Sequence, residues 1–423
     1  MSNILFGSLG TFVTRATALS ALAQHVLRQL RPRLERDATG GDDLTLSYCP
    51  TDPMLTEEPP MPVHATAAVL DRFAAPFAHV PVTLRDPAPD EVVVRAEAAP
   101  FCSTDWMGWR AMRGKVPPVV LGHTLVGTVE IAGTHTGLAP GDRVLVAGTP
   151  QCETCFYCRI GRPDQCAQLL EGGDPVIGHL SDGREVRAAG GVGAYSTHAL
   201  VRADQVHRVP GSLPLEAAAL MGCGISTAYG VVENIAEVEA GQSVAVVGLG
   251  HLGQLTVQAA AAAGAATVVG IDLHPERLEL ATAMGATHLV DAGHVDPVET
   301  VRQLTEGRGA DVVVEAAGPV HAARQAVDMA RRAGTVVLTG VDHSRYAEVT
   351  LPQLALTVHG KRVVGCQNGQ ITPRTDIPRW FERLARGRID TAGIVTRTYR
   401  LDELDLAARR SLALDDVTGL VLA

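Results

Sequence analysis

The stretch Ser243–Asp272, SVAVVGLGHLGQLTVQAAAAAGAATVVGID, carries the strongest indication of the fold. Val244–Val247 is a short apolar run of the kind that forms a fully buried parallel strand. Gln254–Ala263 is rich in strong helix formers, and Thr267–Ile271 is a second apolar run. The order strand, helix, strand predicts an α/β fold with a doubly wound parallel sheet.

A glycine-rich turn joins the first of these strands to the helix. Its pattern is G-x-G-x-x-G, over the residues Gly248, Leu249, Gly250, His251, Leu252 and Gly253. The first glycine makes a tight turn, the second lets the backbone approach a pyrophosphate, and the third lets the helix pack closely on the sheet. The N–H groups at the start of the helix would face the phosphates. An ordinary turn can carry the same pattern, but here the flanking strand and helix favour a Rossmann dinucleotide site.

The acidic residue Asp272 ends the second strand, 19 residues after Gly253. At about this distance an acid accepts a hydrogen bond from the adenosine ribose 2′-OH. A carboxylate would also repel the 2′-phosphate of NADP, so the sequence predicts NAD as the cofactor. Arg277 and Thr227 are further candidates for the same site.

Length and charge limit the classes of function. With 423 residues, the chain is long enough for two domains that each have a core. The sequence has no uninterrupted apolar run that approaches a membrane span. The net charge of −10, with scattered basic residues, argues against a nucleic-acid binder. We therefore expect a cytoplasmic protein whose partners are small molecules rather than nucleic acids or membranes.

Four cysteines lie close together in one loop, at a spacing of C-x2-C-x2-C-x7-C: Cys152, Cys155, Cys158 and Cys166. Four thiolates in a compact loop fit a closed tetrahedral zinc site that contributes to folding. An iron–sulfur cluster or two disulfides could use the same residues. A bacterial ferredoxin run, however, has a gap of three before its fourth cysteine and a proline after it, and both are absent here. We predict a structural-zinc lobe over about residues 150–168.

Cys102, His123 and Cys223 form a second set, whose members are far apart in the sequence. Two thiolates and one imidazole would leave a zinc ion one open position for water or an alcohol oxygen. Taken singly, each of these residues is more often an ordinary buried side chain. The short strands around the first two, interrupted by glycine and proline, predict a β-rich and partly barrel-like domain.

Residues 65–423 resemble the zinc-dependent alcohol dehydrogenases of the medium-chain dehydrogenase/reductase family. The matching motifs occur in the family's order: Cys102-x-Thr104-Asp105, Gly122-His123, Gly127, Pro140-Gly141-Asp142, the four-cysteine lobe, Gly222-Cys223-Gly224, the glycine turn with Asp272, Ala310–Gly318 and Asp376-Ile377-Pro378. The resemblance implies a GroES-like catalytic domain over residues 62–225 and 369–423. It also implies a Rossmann NAD-binding domain over 226–368.

The resemblance assigns roles to the second set of residues. In the family, residues at the positions of Cys102, His123 and Cys223 hold a catalytic zinc. The position of Thr104 carries a hydroxyl that binds the alcohol, and the position of Asp105 carries an acid that orients the zinc-bound histidine. The implied chemistry is hydride transfer between an alcohol and NAD, with an aldehyde or ketone as the product and two zinc ions per chain. Because family members pair through their cofactor domains, a homodimer or homotetramer is also implied.

Four positions depart from better-known members of the family. Thr124 follows the ligand histidine where a glutamate is usual, and Met107 stands at the position of a proton-relay histidine. Ser103 and Thr418 occupy positions that often carry basic residues in contact with the pyrophosphate. We therefore consider His251 as a phosphate contact, with a solvent-facing side chain as the alternative. Met107 and its neighbour in the sequence, Trp106, are expected to line the substrate pocket.

Two other interpretations of the chain's function remain open. A non-catalytic relative could bind zinc and a dinucleotide, although an intact set of open-site ligands argues against it. A quinone or enoyl reductase of the same fold would generally lack both zinc sites.

Residues 1–61 are interpreted as an N-terminal extension and linker. Their Arg-rich, acid-poor start fits an accessory helix or an upstream translation start, with an organelle transit peptide as the alternative.

Overall fold

The N-terminal part of the described chain is built mainly of β-strands. The structure is a computed structural model, and it describes residues 62–110, 115–342, 344 and 346–423. Residues 61–423 form one compact unit. The extension and linker predicted for residues 1–61 lie outside the described residues and stay a prediction.

Within the described residues, ten strands precede the parallel sheet. They are β1 (His64–Leu70), β2 (Ala78–Leu84), β3 (Glu91–Pro100), β4 (Val119–Val120), β5 (Thr124–Ala132), β6 (Arg143–Ala147), β7 (Val176–His179), β8 (Glu185–Ala188), β9 (His198–Arg202) and β10 (Val206–Arg208). Strands β1, β2, β7, β8 and β4 close into a small barrel. A second sheet has the order β10-β6-β5-β3, and β9 also pairs with β3. The predicted β-rich, partly barrel-like domain is thus confirmed.

Short helices interrupt these strands. They are α1 (Ser103–Trp109), α2 (Phe156–Arg159) and α3 (Ala167–Leu170). A longer helical run then covers Leu215–Ile235 and consists of α4 (Leu215–Leu220), a π-turn (Met221–Ile225), α5 (Ser226–Gly230) and a second π-turn (Val231–Ile235). This run is apolar and long enough to cross a membrane, but 83% of its most apolar window is buried inside the protein. It is therefore a core helix, and its first π-turn carries Cys223.

The parallel sheet contains the stretch Ser243–Asp272. Its strands are β11 (Ser243–Val247), β12 (Thr267–Asp272), β13 (His288–Asp291), β14 (Ala310–Glu315), β15 (Ala330–Leu338) and β16 (Arg362–Gly365). Their order is β13-β12-β11-β14-β15-β16, and all adjacent pairs are parallel. Val244 and Val246 are completely buried, as expected for a strand covered on both faces. The doubly wound sheet is therefore confirmed.

The helices of this part alternate with its strands. They are α6 (His251–Ala262), α7 (Pro275–Ala283), α8 (Pro297–Leu304), α9 (Val320–Met329) and α10 (Gln353–Thr357). Helix α6 begins at His251, within the glycine-rich turn, which places its N-terminal N–H groups at the carboxyl edge of the sheet. In open α/β sheets, ligands bind at this edge.

The C-terminal segment returns to the β-rich part. Helix α11 (Pro373–Ala385) is followed by β17 (Arg397–Arg400), α12 (Leu404–Leu412) and β18 (Gly419–Leu422). Strand β18 pairs antiparallel with the end of β3, with Leu420 opposite Pro100. This pairing brings Thr418 to the start of α1, where its hydroxyl donates a hydrogen bond to the carbonyl oxygen of Phe101 (3.1 Å). The domain limits predicted at residues 225 and 369 remain a prediction.

Gly230 offers a test of how tightly the core helix is packed. A Cβ atom at Gly230 would lie 2.3 Å from the carbonyl oxygen of Gly369, whose backbone has a φ of +67°. In an exposed helix, replacing glycine by alanine stabilises by about 0.5–1 kcal/mol. Here the clash is with backbone, so we expect Gly230→Ala to destabilise the protein by about 1–3 kcal/mol.

The measurement is the thermal unfolding midpoint of the purified variant. Gly211→Ala is the matched control, because a Cβ atom there would meet no atom within 4 Å. A Gly230→Ala variant that unfolds at or above the midpoint of the wild type would show that the contact can relax at no cost.

Candidate functional site

The start of helix α1 sets the position of two candidate residues. Cys102 lies just before the helix with an extended backbone (φ −113°, ψ 144°), and its own N–H donates to Oδ2 of Asp105 (3.2 Å). An acid in the first helical turn accepts an N–H that has no partner within the helix. This contact fixes the carboxylate of Asp105, which is buried.

The same carboxylate organises the side chains around it. Oδ1 of Asp105 lies 3.2 Å from Nδ1 of His123, and Oδ2 accepts a hydrogen bond from the hydroxyl of Tyr195 (2.7 Å). Because a carboxylate can only accept, Nδ1 of His123 is the protonated ring nitrogen. Its Nε2 atom is then free to bind a metal.

Cys102, His123 and Cys223 come together although they are distant in the sequence. Their ligand atoms all lie within 4.8 Å of one another. The ligand atoms of a tetrahedral zinc ion lie about 3.8 Å apart, so the set fits zinc in size and in donor type. Thr104 lies beside it and donates a hydrogen bond to Sγ of Cys102 (3.2 Å). The structure thus brings together the residues predicted for a catalytic zinc.

The protonation of this set without a metal follows from its own contacts, and zinc binding would displace the protons of Cys223 and His123. A hydrogen bond from Cys223 holds the pKa of the Cys102 thiol well below its usual range. The same hydrogen bond, together with burial, raises the pKa of Cys223. Burial lowers the pKa of His123, but the charge of Asp105 and hydrogen bonds to Asp105 and Cys102 outweigh this effect and raise it to about 10. Cys102 is therefore held as a thiolate.

Two glycines flank Cys223, and both are in contact with the site. A Cβ atom at Gly222 would lie 1.9 Å from Oγ1 of Thr124, and one at Gly224 would lie 2.9 Å from Cδ2 of His251. The hydroxyl of Thr124 donates to the carbonyl oxygen of Val146 (2.9 Å). The threonine that replaces the usual glutamate thus packs against Gly222 and leaves no carboxylate at this position.

The four-cysteine lobe also forms a compact ligand set. The Sγ atoms of Cys152, Cys155, Cys158 and Cys166 lie within 4.8 Å of one another. The N–H of Cys155 points to Sγ of Cys152, and the N–H of Cys158 points to Sγ of Cys155, both at 3.4 Å. Although burial raises the pKa of Cys152, the Thr154 hydroxyl and nearby N–H groups lower it to about 6. Thiolates are the form that binds zinc.

The glycine-rich turn has the geometry that its pattern predicts. Gly248 has a φ of +89°, and a Cβ atom there would lie 2.6 Å from the backbone nitrogen of Ala317. A Cβ atom at Gly253 would lie 1.9 Å from the carbonyl oxygen of Gly248. At Gly250, by contrast, a Cβ atom would meet no atom within 4 Å, so the backbone here faces open space. That space is suited to a phosphate group.

Asp272 lies at the carboxyl end of β12, as predicted, and is held by the turn. Its Oδ2 accepts the N–H of Leu249 (2.6 Å), and its Oδ1 accepts the N–H groups of Leu273 and His274. Nδ1 of His274 also lies 3.0 Å from Oδ1. The sequence analysis did not identify His274, and only its position two residues after the acid could have indicated it.

The remaining cofactor candidates lie on the same side of the sheet. The guanidinium of Arg277 donates to the carbonyl oxygens of Leu414 and Asp416, both at 2.9 Å. The hydroxyl of Thr227 donates to Oδ1 of Asn368 (3.0 Å). Asn368 is a second residue that the sequence analysis missed, because nothing in its sequence context marks it.

The half-buried ring of His251 contacts the C-terminal segment, and its role as a phosphate contact remains a prediction. Its Nδ1 lies 3.3 Å from Oγ1 of Thr418. Burial is the main cause that lowers the pKa of His251. A neutral ring is therefore favoured, which argues against a charged contact with a phosphate. The ring instead connects the glycine-rich turn to the C-terminal segment.

One cavity of about 640 Å³ joins both groups of residues. On one side it is lined by Cys102, Thr104, Asp105, His123 and Cys223, and on the other by Gly248, Gly250, His251, Leu252, Asp272, Arg277 and Thr227. Trp106 and Met107 also line it, as predicted. Gly253 does not, because it packs against the turn itself. A metal site with an open position and a dinucleotide turn thus share one cavity.

Comparisons with known proteins agree with this arrangement. Residues 88–211 match the family model described as the alcohol dehydrogenase GroES-like domain, and residues 252–386 match the model of zinc-binding dehydrogenases. The NDMA-dependent alcohol dehydrogenase of Amycolatopsis methanolica is 33% identical over 349 residues, which cover 80% of this chain and 93% of that protein. Alcohol dehydrogenase 1 of Oryza sativa subsp. indica is 30% identical over 82% of this chain and 93% of its own length.

Two solved structures show the same architecture. An alcohol dehydrogenase zinc-binding domain protein from Burkholderia ambifaria superposes with a TM-score of 0.79 at 31% identity, over 85% of this chain and 99% of that one. Benzyl alcohol dehydrogenase from Acinetobacter calcoaceticus superposes with a TM-score of 0.78 at 27% identity, with the same coverage. The chain therefore belongs to the zinc-dependent alcohol dehydrogenases of the medium-chain dehydrogenase/reductase family.

Proposed function

We propose that this protein catalyses the reversible oxidation of an alcohol to an aldehyde or ketone, with NAD as the hydride acceptor. One observation carries the proposal: the ligand set of Cys102, His123 and Cys223 and the glycine-rich turn open into one cavity. Hydride transfer requires an alcohol carbon and a nicotinamide ring to lie within contact distance. A non-catalytic relative would have no need to join the two sites in this way.

The residues of the metal site have separate tasks in this proposal. Sγ of Cys102, Sγ of Cys223 and Nε2 of His123 would hold a zinc ion, which when bound lowers the pKa of an alcohol oxygen. Thr104 would place its hydroxyl next to that oxygen, accept a hydrogen bond from the alcohol and pass the proton on, giving up its own hydroxyl proton to solvent in the cavity. Asp105 would keep Nδ1 of His123 protonated and the ring fixed.

NAD is proposed over NADP because of Asp272. Its carboxylate lies at the edge of the cavity, where the 2′-phosphate of NADP would meet a negative charge. A similar structure, a zinc-binding dehydrogenase from Sinorhizobium meliloti, is bound to NADP at 29% identity and a TM-score of 0.72. The family therefore does not settle the cofactor, and a direct comparison of cofactors is needed.

The function is tested with purified protein and a panel of primary, secondary, aromatic and polyhydroxy alcohols. We expect the absorbance of the reduced cofactor to rise with NAD, as NADH forms, and to rise much less with NADP, as NADPH forms. A parallel series contains NDMA as an electron acceptor, because one relative is named for its dependence on it. Absence of any alcohol oxidation with all three acceptors would contradict the proposal.

We further propose two zinc ions per chain. Elemental analysis of the wild type should give a value close to two. Cys102→Ala should reduce it to about one and abolish turnover, while the unfolding midpoint changes little. Cys155→Ala should also give about one, but with a clear loss of stability, because a structural zinc contributes to folding. A wild-type value close to one, unchanged in Cys102→Ala, would rule out the catalytic zinc.

The second test concerns Asp272. In Asp272→Ala, NAD affinity should fall by about 1.5–3 kcal/mol, the value of a hydrogen bond to a charged group. NADP should gain relative to NAD, because a repulsive charge is lost.

Asp291→Ala is the matched control for this test. Its carboxylate also ends a strand of the sheet, accepts the N–H of Gly293 and contacts Nδ1 of His294, but it does not line the cavity. The measurement is the dissociation constant of each cofactor for the wild type and for both variants. A wild type that already prefers NADP would show that Asp272 has been misinterpreted.

We also propose a homodimer or homotetramer. Strand β16 is the edge of the parallel sheet, and the segment that leads into it carries the exposed apolar side chains of Leu354, Leu356 and Val358. Unpaired strand edges and apolar patches are surfaces that a second copy can cover. Light scattering should give two or four times the chain mass of 44.4 kDa, whereas a mass of one chain would exclude both states.

A cytoplasmic location is proposed on chemical grounds. The seven cysteines in the described residues are all free thiols, and the two ligand sets contain six of them. Thiols must stay reduced to bind zinc, and the cytoplasm is a reducing compartment.

A further inference from the structure

Lys115 lines the cavity and forms an ion pair with Asp174 behind it. Nζ of Lys115 donates a hydrogen bond to Oδ1 of Asp174 (2.6 Å), and the two side chains are only 14% and 8% exposed. Lys115 lines the cavity together with Thr104 and His123. Lysine is rare in this chain, and Lys361 is the only other one.

Helix α1 shows where this lysine lies relative to the reacting groups. Thr104 and Gly108 are four residues apart, so they lie on one face of the helix, about 5–6 Å from each other. A Cβ atom at Gly108 would lie 3.1 Å from Cδ2 of Leu121 and 3.9 Å from Cγ of Lys115. The stem of Lys115 therefore passes α1 about one helical turn beyond Thr104, in the wall of the same cavity.

Asp174 is held in place from two sides. Its Oδ1 also accepts the N–H of Gly190 (2.9 Å), and its carbonyl oxygen accepts a hydrogen bond from Arg187 (3.0 Å). Gly190 itself lines the cavity. The ion pair is consequently a fixed part of the cavity wall.

The ammonium group still has hydrogen-bonding capacity. It has three N–H donors, and within the described part of the chain Asp174 is the one acceptor recorded for Nζ. The surrounding wall contains Met107, Leu121 and Leu169, which are apolar. An alcohol with a purely hydrocarbon chain would bury these donors without a partner, at a cost in free energy.

We propose that Lys115 determines specificity and selects alcohols that carry a second, uncharged oxygen acceptor on the end opposite the reacting hydroxyl. A hydroxyl, ether or carbonyl oxygen can accept from Nζ. A carboxylate would do so less well, because Asp174 already neutralises the lysine and would repel a second anion a few ångströms away. The inference rests on the proposed alcohol oxidation and adds the substrate class to it.

The experiment compares kcat/KM for substrates of similar size. Hexan-1-ol and pentane-1,5-diol have the same number of non-hydrogen atoms and differ in a terminal methyl or hydroxyl group. 5-Hydroxypentanoate supplies the anionic end. Shorter homologues of all three substrates are included as a control for the length of the carbon chain.

Three variants separate the electrostatic effect from a structural one. Lys115→Met/Asp174→Asn removes both charges, keeps the lysine stem volume and retains an acceptor for the Gly190 N–H. Asp174→Asn leaves the lysine charge without its partner. Lys361→Met is the control, because Nζ of Lys361 donates to the carbonyl oxygen of Val327 outside the cavity.

We expect the double variant to lower the ratio of kcat/KM for diol over alkanol by about 10-fold, the effect of one hydrogen bond to a charged donor. In Asp174→Asn, kcat/KM for 5-hydroxypentanoate should rise by about 10-fold relative to hexan-1-ol, because the free ammonium then attracts the carboxylate. Lys361→Met should change neither ratio.

Two results would overturn the inference while the proposed function stands. One is an unchanged diol-to-alkanol ratio in a double variant that keeps the wild-type zinc content and unfolding midpoint. The other is a wild type that prefers 5-hydroxypentanoate to the diol. If the double variant does not fold, the response of Asp174→Asn to the carboxylate decides. Failure of the wild type to oxidise any alcohol refutes the proposed function, and the inference with it.

Discussion

The carboxylate of Asp105 is the point on which the candidate site depends. It accepts hydrogen bonds from the start of α1, from the ring of His123 and from the hydroxyl of Tyr195, three segments that are far apart in the sequence. A buried carboxylate is stable only when such donors surround it. The same contacts that satisfy its charge therefore also place one metal ligand and orient another. Folding of the barrel and formation of the metal site therefore depend on the same hydrogen bonds to Asp105.

Much of this arrangement could be predicted from the sequence, because local chemistry dictates it. The cysteine lobe has its ligands within one loop, and the turn at Gly248 requires a positive φ that glycine readily adopts. Helix α6, however, begins at His251 and not at Gln254, because Gly250 already serves as its N-cap. The first turn of a helix contains few propensity signals, so its beginning is hard to recognise.

Other parts of the site could not be predicted, since they depend on tertiary contacts. The Lys115–Asp174 pair joins residues 59 positions apart, and Asn368 reaches Thr227 across 141 positions. Neither pair has a pattern that periodicity or spacing would reveal. The candidate zinc ligands Cys102, His123 and Cys223 were predicted only through the resemblance to a family, because folding alone brings them together. The reason why Thr124 differs from the family's usual residue is visible only in the structure, where its side chain lies against Gly222.

The glycines on either side of Cys223 have a consequence for how the chain can vary. Gly222 is in contact with the neighbour of one metal ligand, and Gly224 with the first residue of the dinucleotide helix. The π-turn that carries Cys223 thus lies between the metal site and the cofactor turn, and a Cβ atom at Gly222 or Gly224 would lie less than 3 Å from a neighbouring side chain. In a random mutagenesis library these two positions should tolerate as little change as the ligands themselves, although neither glycine takes part in the chemistry. We therefore expect these two glycines to be conserved as strictly as a catalytic residue.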